Sequence, residues 1–151
     1  MRIEQKLTSL GISLPDPVEA KGNYAPWVLH GDLLYLSGVG GSSPLLGKVG
    51  ATVTVEEGYK LAREAALSHI AAMKAALGDL DRVERIVRVV GYVNSTPGFT
   101  DHPAVINGVT DLYVEIFGEV GKPARAAVGM GSLPFNMPVE VETLVAVKAR
   151  A

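Results

Sequence analysis

Cysteine is missing from all 151 residues, which excludes a disulfide framework, a thiolate nucleophile and a sulfur-ligated metal. Long apolar runs are missing too: none approaches the roughly 20 residues that cross a bilayer. The first residues, Met1-Arg2-Ile3-Glu4-Gln5-Lys6-Leu7, carry charges where a signal peptide needs an apolar core. A cytoplasmic protein with no membrane partner is therefore expected. Basic residues form no cluster, and 14 of them against 16 acidic ones leave a net charge of -2, so the chain lacks the footprint by which proteins grip nucleic-acid phosphates. His30, His69 and His102 lack metal-ligand spacing, and no metal is expected. Gly38-Val39-Gly40-Gly41 lacks the lysine and hydroxyl residue of a phosphate loop and reads as a tight turn. Ser37 has no histidine in a recognisable nucleophile arrangement, so a serine hydrolase is not indicated.

What is present is a core. The chain is 48% hydrophobic and 20% charged, and its 17 glycines and nine prolines are scattered without a repeat or linker. One domain over residues 1–151 is expected, with residues 1 to about 20 as an N-terminal arm containing a short helix built on Ile3, Leu7 and Leu10. Trp27-Val28-Leu29-His30 and Asp32 to Ser37, split at Gly31-Asp32, predict a hairpin. Thr54-Val55-Glu56-Glu57 has the form of a capping box, and Tyr59, Ala62, Ala66, Ile70, Met73 and Leu77 continue at helical spacing to Gly78. The β-branched run from Leu80 to Val93 predicts a central strand. Asp101-His102-Pro103 opens a second helix whose stripe is Val105, Val109, Leu112 and Ile116, with Asp101 as cap. Strands over 125–130 and 139–147 complete an α+β domain with two main helices on one face of a mixed sheet. The last strand alternates poorly through Leu144-Val145-Ala146-Val147, which leaves a second face that another copy of the chain would cover.

Chemistry concentrates near the C-terminus. Arg125 opens an apolar run that should be partly buried, and a buried guanidinium needs an anion, ideally a carboxylate held by two parallel hydrogen bonds. Glu140 could handle a water molecule or a proton. The bland readings stand beside these: Arg125 as a structural ion pair, and Glu140 with Glu142 as a solvated face of a strand. If 125–131 and 139–147 formed a simple hairpin, Arg125 and Glu140 would lie roughly 16 Å apart along the ladder. Neighbouring subunits would then have to bring them together, unless the register is different.

The pattern Pro123-Ala124-Arg125, a strand, Leu133-Pro134, then Val139-Glu140-Val141-Glu142 resembles the reactive-intermediate deaminase family, also called YjgF-like and formerly endoribonuclease L-PSP. Gly22-Asn23-Tyr24, Leu36-Ser37-Gly38 and Ile106-Asn107-Gly108 resemble its other motifs in order and approximate spacing. The resemblance implies a chorismate-mutase-like fold, a homotrimer with ligand clefts between subunits, and hydrolysis of enamine and imine intermediates such as 2-aminoacrylate to 2-keto acids and ammonia, with no cofactor. It implies that Arg125 holds the substrate carboxylate, that Glu140 orients or deprotonates water, and that Tyr24, Ser37, Gly38 and Asn107 line the cleft. Ala127 stands where the family often has cysteine, Val39 where it has glutamine, and Phe135-Asn136-Met137 follows the Leu-Pro connection. These departures bear on which substrate is taken. A noncatalytic binder of small carboxylates and a ribonuclease are the alternatives, and composition argues against the ribonuclease.

Overall fold

The computed structural model describes residues 1–150. Strands β1 (Trp27–His30) and β2 (Leu33–Val39) pair antiparallel about the two-residue turn Gly31-Asp32, as the sequence predicts. Helix α1 (Arg2–Ser9) buries Ile3 and Leu7, while Leu10, beyond its last turn, is exposed. The Asp81 carboxylate accepts from the backbone N–H groups of Arg2 and Ile3, at 2.8 Å each, and so satisfies donors that a helix start leaves free.

Helix α2 (Val55–Leu77) begins at the expected capping box. Thr54 Oγ1 accepts from Glu57 N at 3.1 Å, and the Glu57 carboxylate accepts from Thr54 N at 3.0 Å. Of its apolar stripe, Ala62, Ala66, Ile70, Met73 and Leu77 are buried. Tyr59 is only half-buried, because its hydroxyl donates to Asp111 at 2.7 Å. A 3-10 turn over Leu80–Arg82 precedes β3 (Val83–Asn94), so the strand starts three residues later than its β-branched run suggests. In α3 (His102–Phe117), Val105, Val109, Leu112 and Ile116 are all buried. Asp101 occupies the cap position, but its side chain makes no cap hydrogen bond; Pro103 begins the helix by fixing φ without needing an N–H partner. Helices α2 and α3 touch closely at Gly108, where a Cβ would lie 2.1 Å from the Tyr59 carbonyl oxygen.

With β4 (Ala124–Met130) and β5 (Val139–Val147), the sheet order is β1-β2-β5-β3-β4. Every neighbouring pair is antiparallel except β3 and β4, which α3 connects as a parallel crossover. The hairpin of β4 on β5 does not form. The segment from 131 to 138 instead carries the chain past the end of β3, where Asn94 N donates to the Pro138 carbonyl at 2.8 Å, and β5 enters on the far side. Phe135 and Asn136 both take φ of 58° in that crossing.

Burial along β5 alternates cleanly: Val139, Val141, Thr143, Val145 and Val147 lie under the helices, and Glu140, Glu142, Leu144 and Ala146 point the other way. The apolar tail of the strand looked non-alternating because Leu144 and Ala146 belong to the second face. That face also presents exposed Val28 and Tyr35 and, beside Arg88 and Glu142, a depression of about 290 Å³.

Candidate functional site

The Arg125 side chain projects from the edge strand β4 toward α3. One terminal nitrogen, Nη1, donates to Asn107 Oδ1 at 2.8 Å and to Thr110 Oγ1 at 3.1 Å. Asn107 and Thr110 are one helical turn apart on α3, so they meet the guanidinium together. Asn107 thus sits inside the helix. Arg125 is exposed, contrary to the partial burial expected, because β4 is the last strand of the sheet. It is nevertheless held in place, at a shallow depression of about 350 Å³ shared with Asn107, Thr110, Asp111 and Lys122. Among the described residues no carboxylate forms an ion pair with it, and its Nε and Nη2 donate to none of them. That open edge offers two parallel N–H groups, the geometry that fits one carboxylate. Ala127 follows two residues on, half-buried on the same face.

Tyr24, Ser37 and Gly38 come together on the other side of the molecule, around a cavity of about 30 Å³ that His69 also lines. Strand β2 bulges here. Leu36 pairs with Thr143 and Val39 with Val141, so Ser37 and Gly38 stand opposite a single residue of β5. Ser37 Oγ donates to the Ala25 carbonyl at 2.6 Å, and Tyr24 is exposed. Gly38 has a steric reason to be glycine: a Cβ would lie 2.9 Å from Glu140 Oε2. Glu140 is half-buried and accepts no hydrogen bond from a described residue. Burial, and after it the neighbouring Glu142 carboxylate, pushes its pKa above the usual carboxylate value. Glu142 accepts instead from the Tyr92 hydroxyl.

One chain does not bring Arg125 and Glu140 together. Arg125 pairs with Val89 and through it aligns with Thr143, whereas Glu140 pairs with Tyr92 and through it aligns with Val128. Two strand spacings across and three residues along place their backbones about 14 Å apart. Arg125 also shares the helix-covered face with Val89 and Thr143, while Glu140 lies on the opposite face. The chain therefore carries two half-sites facing in different directions.

Comparison with known proteins bears on what these half-sites belong to. The family model described as "YjgF/chorismate mutase-like, putative endoribonuclease" matches residues 4–147. Protein TCP17 of Trypanosoma cruzi is 46% identical, over 95% of this chain and 93% of its own. The chain belongs to the YjgF-like family. Among solved structures, a protein of unknown function from Agrobacterium tumefaciens superposes with a TM-score of 0.89 at 40% identity, covering 97% of this chain and 92% of that one. A Shewanella oneidensis structure described as a "putative endoribonuclease" gives 0.91 at 34% identity, covering 96% and 99%.

Within this YjgF-like protein the sequence singled out Arg125, Glu140, Tyr24, Ser37, Gly38, Asn107 and Ala127, and the fold sorts them into the two groups above. It adds Thr110, the second clamp on the guanidinium, and His69, Thr143 and Tyr113 behind the bulge. Thr110 was findable in principle from its one-turn spacing to Asn107. The other three are not, since their contacts join positions 30 to 74 residues apart. No described helix is long and apolar enough to cross a membrane.

Proposed function

We propose that this YjgF-like protein hydrolyses reactive 2-enamino and 2-imino acids to 2-keto acids and ammonia, in clefts shared between the copies of a homotrimer. The observation that carries this reading is the Arg125 guanidinium, clamped through Nη1 by Asn107 and Thr110 with its Nε–Nη2 edge left free. In the proposed cleft that edge takes the substrate carboxylate, and a neighbouring copy supplies Glu140. An imine carbon is already electrophilic, so positioning supplies much of the catalysis. A water oxygen bonds to C2 as Glu140 takes its proton. The nitrogen receives that proton from Glu140 and a second one from the new hydroxyl as it collapses to the keto group, and it leaves as ammonia when the C2–N bond breaks. A carboxylate with a raised pKa is a stronger base for the first step than an ordinary one.

The test is release of ammonia and pyruvate from freshly generated 2-iminopropanoate, compared with the spontaneous rate. The protein is expected to accelerate it and Arg125→Ala to abolish the acceleration; activity unchanged in Arg125→Ala refutes the reading.

A second reading, a noncatalytic binder of small carboxylates, is favoured by Ala127, which puts no reactive group beside the anchor. It predicts 2-keto-acid binding lost in Arg125→Ala with no acceleration by the wild type. The ribonuclease in the names of relatives finds little support in a chain of net charge -2 without a basic cluster. RNA cleavage by highly purified protein would speak for it.

A further inference from the structure

The bulge at Ser37-Gly38 leaves the Ser37 carbonyl outside the β2–β5 ladder, and His69 reaches down from α2 to meet it. His69 Nε2 lies 2.8 Å from that oxygen. Its Nδ1 lies 3.0 Å from Thr143 Oγ1, which is 2.8 Å from the Tyr113 hydroxyl. All three side chains are buried, His69 at 1% exposure.

The chemistry of the end groups fixes every proton in this chain. A carbonyl oxygen only accepts, so Nε2 carries the hydrogen and donates it. Neutral imidazole then has a bare Nδ1, so the Thr143 hydroxyl donates to it. Thr143 has a single proton to give, so Tyr113 must donate to Thr143. Burial keeps the tyrosine protonated and pushes the imidazole pKa down to about 4, and both shifts favour the same arrangement.

We propose that His69, held as the Nε2–H tautomer by Tyr113 and Thr143, is a positioning residue that fixes the Ser37-Gly38 bulge and thereby the place where the Glu140 carboxylate lies. This rests on the deaminase reading for its kinetic consequence. The mechanical link is direct: Glu140 Oε2 lies 2.9 Å from where a Gly38 Cβ would be, so a shift of the bulge shifts the carboxylate's surroundings. Carboxylate anchoring at Arg125, on edge strand β4 and three strands away from the bulge in β2, should be indifferent to it.

The experiment compares His69→Leu, which removes both hydrogen bonds, with His69→Gln, whose amide can donate to Ser37 and accept from Thr143. On generated 2-iminopropanoate, His69→Leu is expected to lower kcat on the order of 100-fold, since an active-site misplacement of about 1 Å has that effect. KM is expected to stay within about twofold, and His69→Gln to recover kcat to within about tenfold of the wild type. Carbon-13 NMR of the Glu140 carboxylate gives a readout that does not need turnover: its titration should move toward an ordinary glutamate in His69→Leu and return in His69→Gln. Nitrogen-15 NMR of the wild-type imidazole should show the hydrogen on Nε2. If His69→Leu does not fold, Thr143→Val frees the imidazole ring and should move the Glu140 titration in the same direction. A wild type that releases no ammonia defeats the deaminase reading and leaves the NMR arms to decide this one. An Nδ1–H tautomer, a Glu140 titration indifferent to the variants, or His69→Gln no better than His69→Leu would overturn it.

Discussion

Acid should unfold this protein through His69 before it does so through most of its carboxylates. The folded state holds the imidazole neutral, with its pKa pushed down by burial from 6.5 to about 4. The sign follows from linkage: a depressed folded pKa means that the unfolded chain binds the proton first, so stability is intact above about pH 6.5 and is lost as pH falls toward about 4. A displacement of about 2.5 units corresponds to roughly 3 kcal/mol in full, of which about 2 kcal/mol is gone by pH 5. That is a large share of the 5–15 kcal/mol typical of a domain. Urea denaturation followed by circular dichroism, at pH 7, 6, 5 and 4 and at one protein concentration, measures it for the wild type and for His69→Gln. Carboxylates that titrate in the same range cancel in the difference between the two proteins. That difference should shift by about 3 kcal/mol between pH 7 and pH 4. A difference constant to within about 0.5 kcal/mol would show that the buried imidazole is not what acid attacks.

Gly108→Ala should lower stability by about 1–3 kcal/mol, because its methyl group meets the Tyr59 carbonyl oxygen at 2.1 Å and the two helices must part; a thermal melt at the wild-type temperature contradicts this. Arg125→Lys keeps the charge but loses the side-on pair of N–H groups, and calorimetry should show 2-oxobutanoate binding weakened by about tenfold or more. Equal affinity would mean that charge alone anchors the ligand. Glu140→Gln should reduce kcat by roughly 10²- to 10⁴-fold, the ordinary worth of a general base. In the wild type, activity should fall as pH drops through the raised pKa of Glu140, since only the carboxylate form can accept water's proton, and that limb should vanish in the variant.

Where a structural decision is local, the chain announces it. Thr54 and Glu57 stand three residues apart and cap each other, Gly31-Asp32 turns the first hairpin, and the buried stripe of α3 repeats every three or four residues. The place of β5 is a different kind of decision. Eight residues between two apolar runs look like a hairpin loop, and only long-range pairing, such as the bond from Asn94 to Pro138 over 44 positions of sequence, reveals that the chain steps across β3. The site splits along the same line. Arg125 and Glu140 could be named from their neighbours in sequence, but the opposition of their faces depends on parity counted through an intervening strand. His69 has no partner near it in sequence, because Ser37 and Thr143 are brought to it by the bulge and by β5.

The two half-sites have a consequence for mixtures. Under the shared-cleft proposal, a chain with a ruined Arg125 can still lend its Glu140 to a sister chain, and the reverse holds for a chain with a ruined Glu140. Co-expressing the two defective forms should then reconstitute a fraction of intact clefts from parents that are each dead, so that damage at this locus would behave as graded and complementable, not dominant.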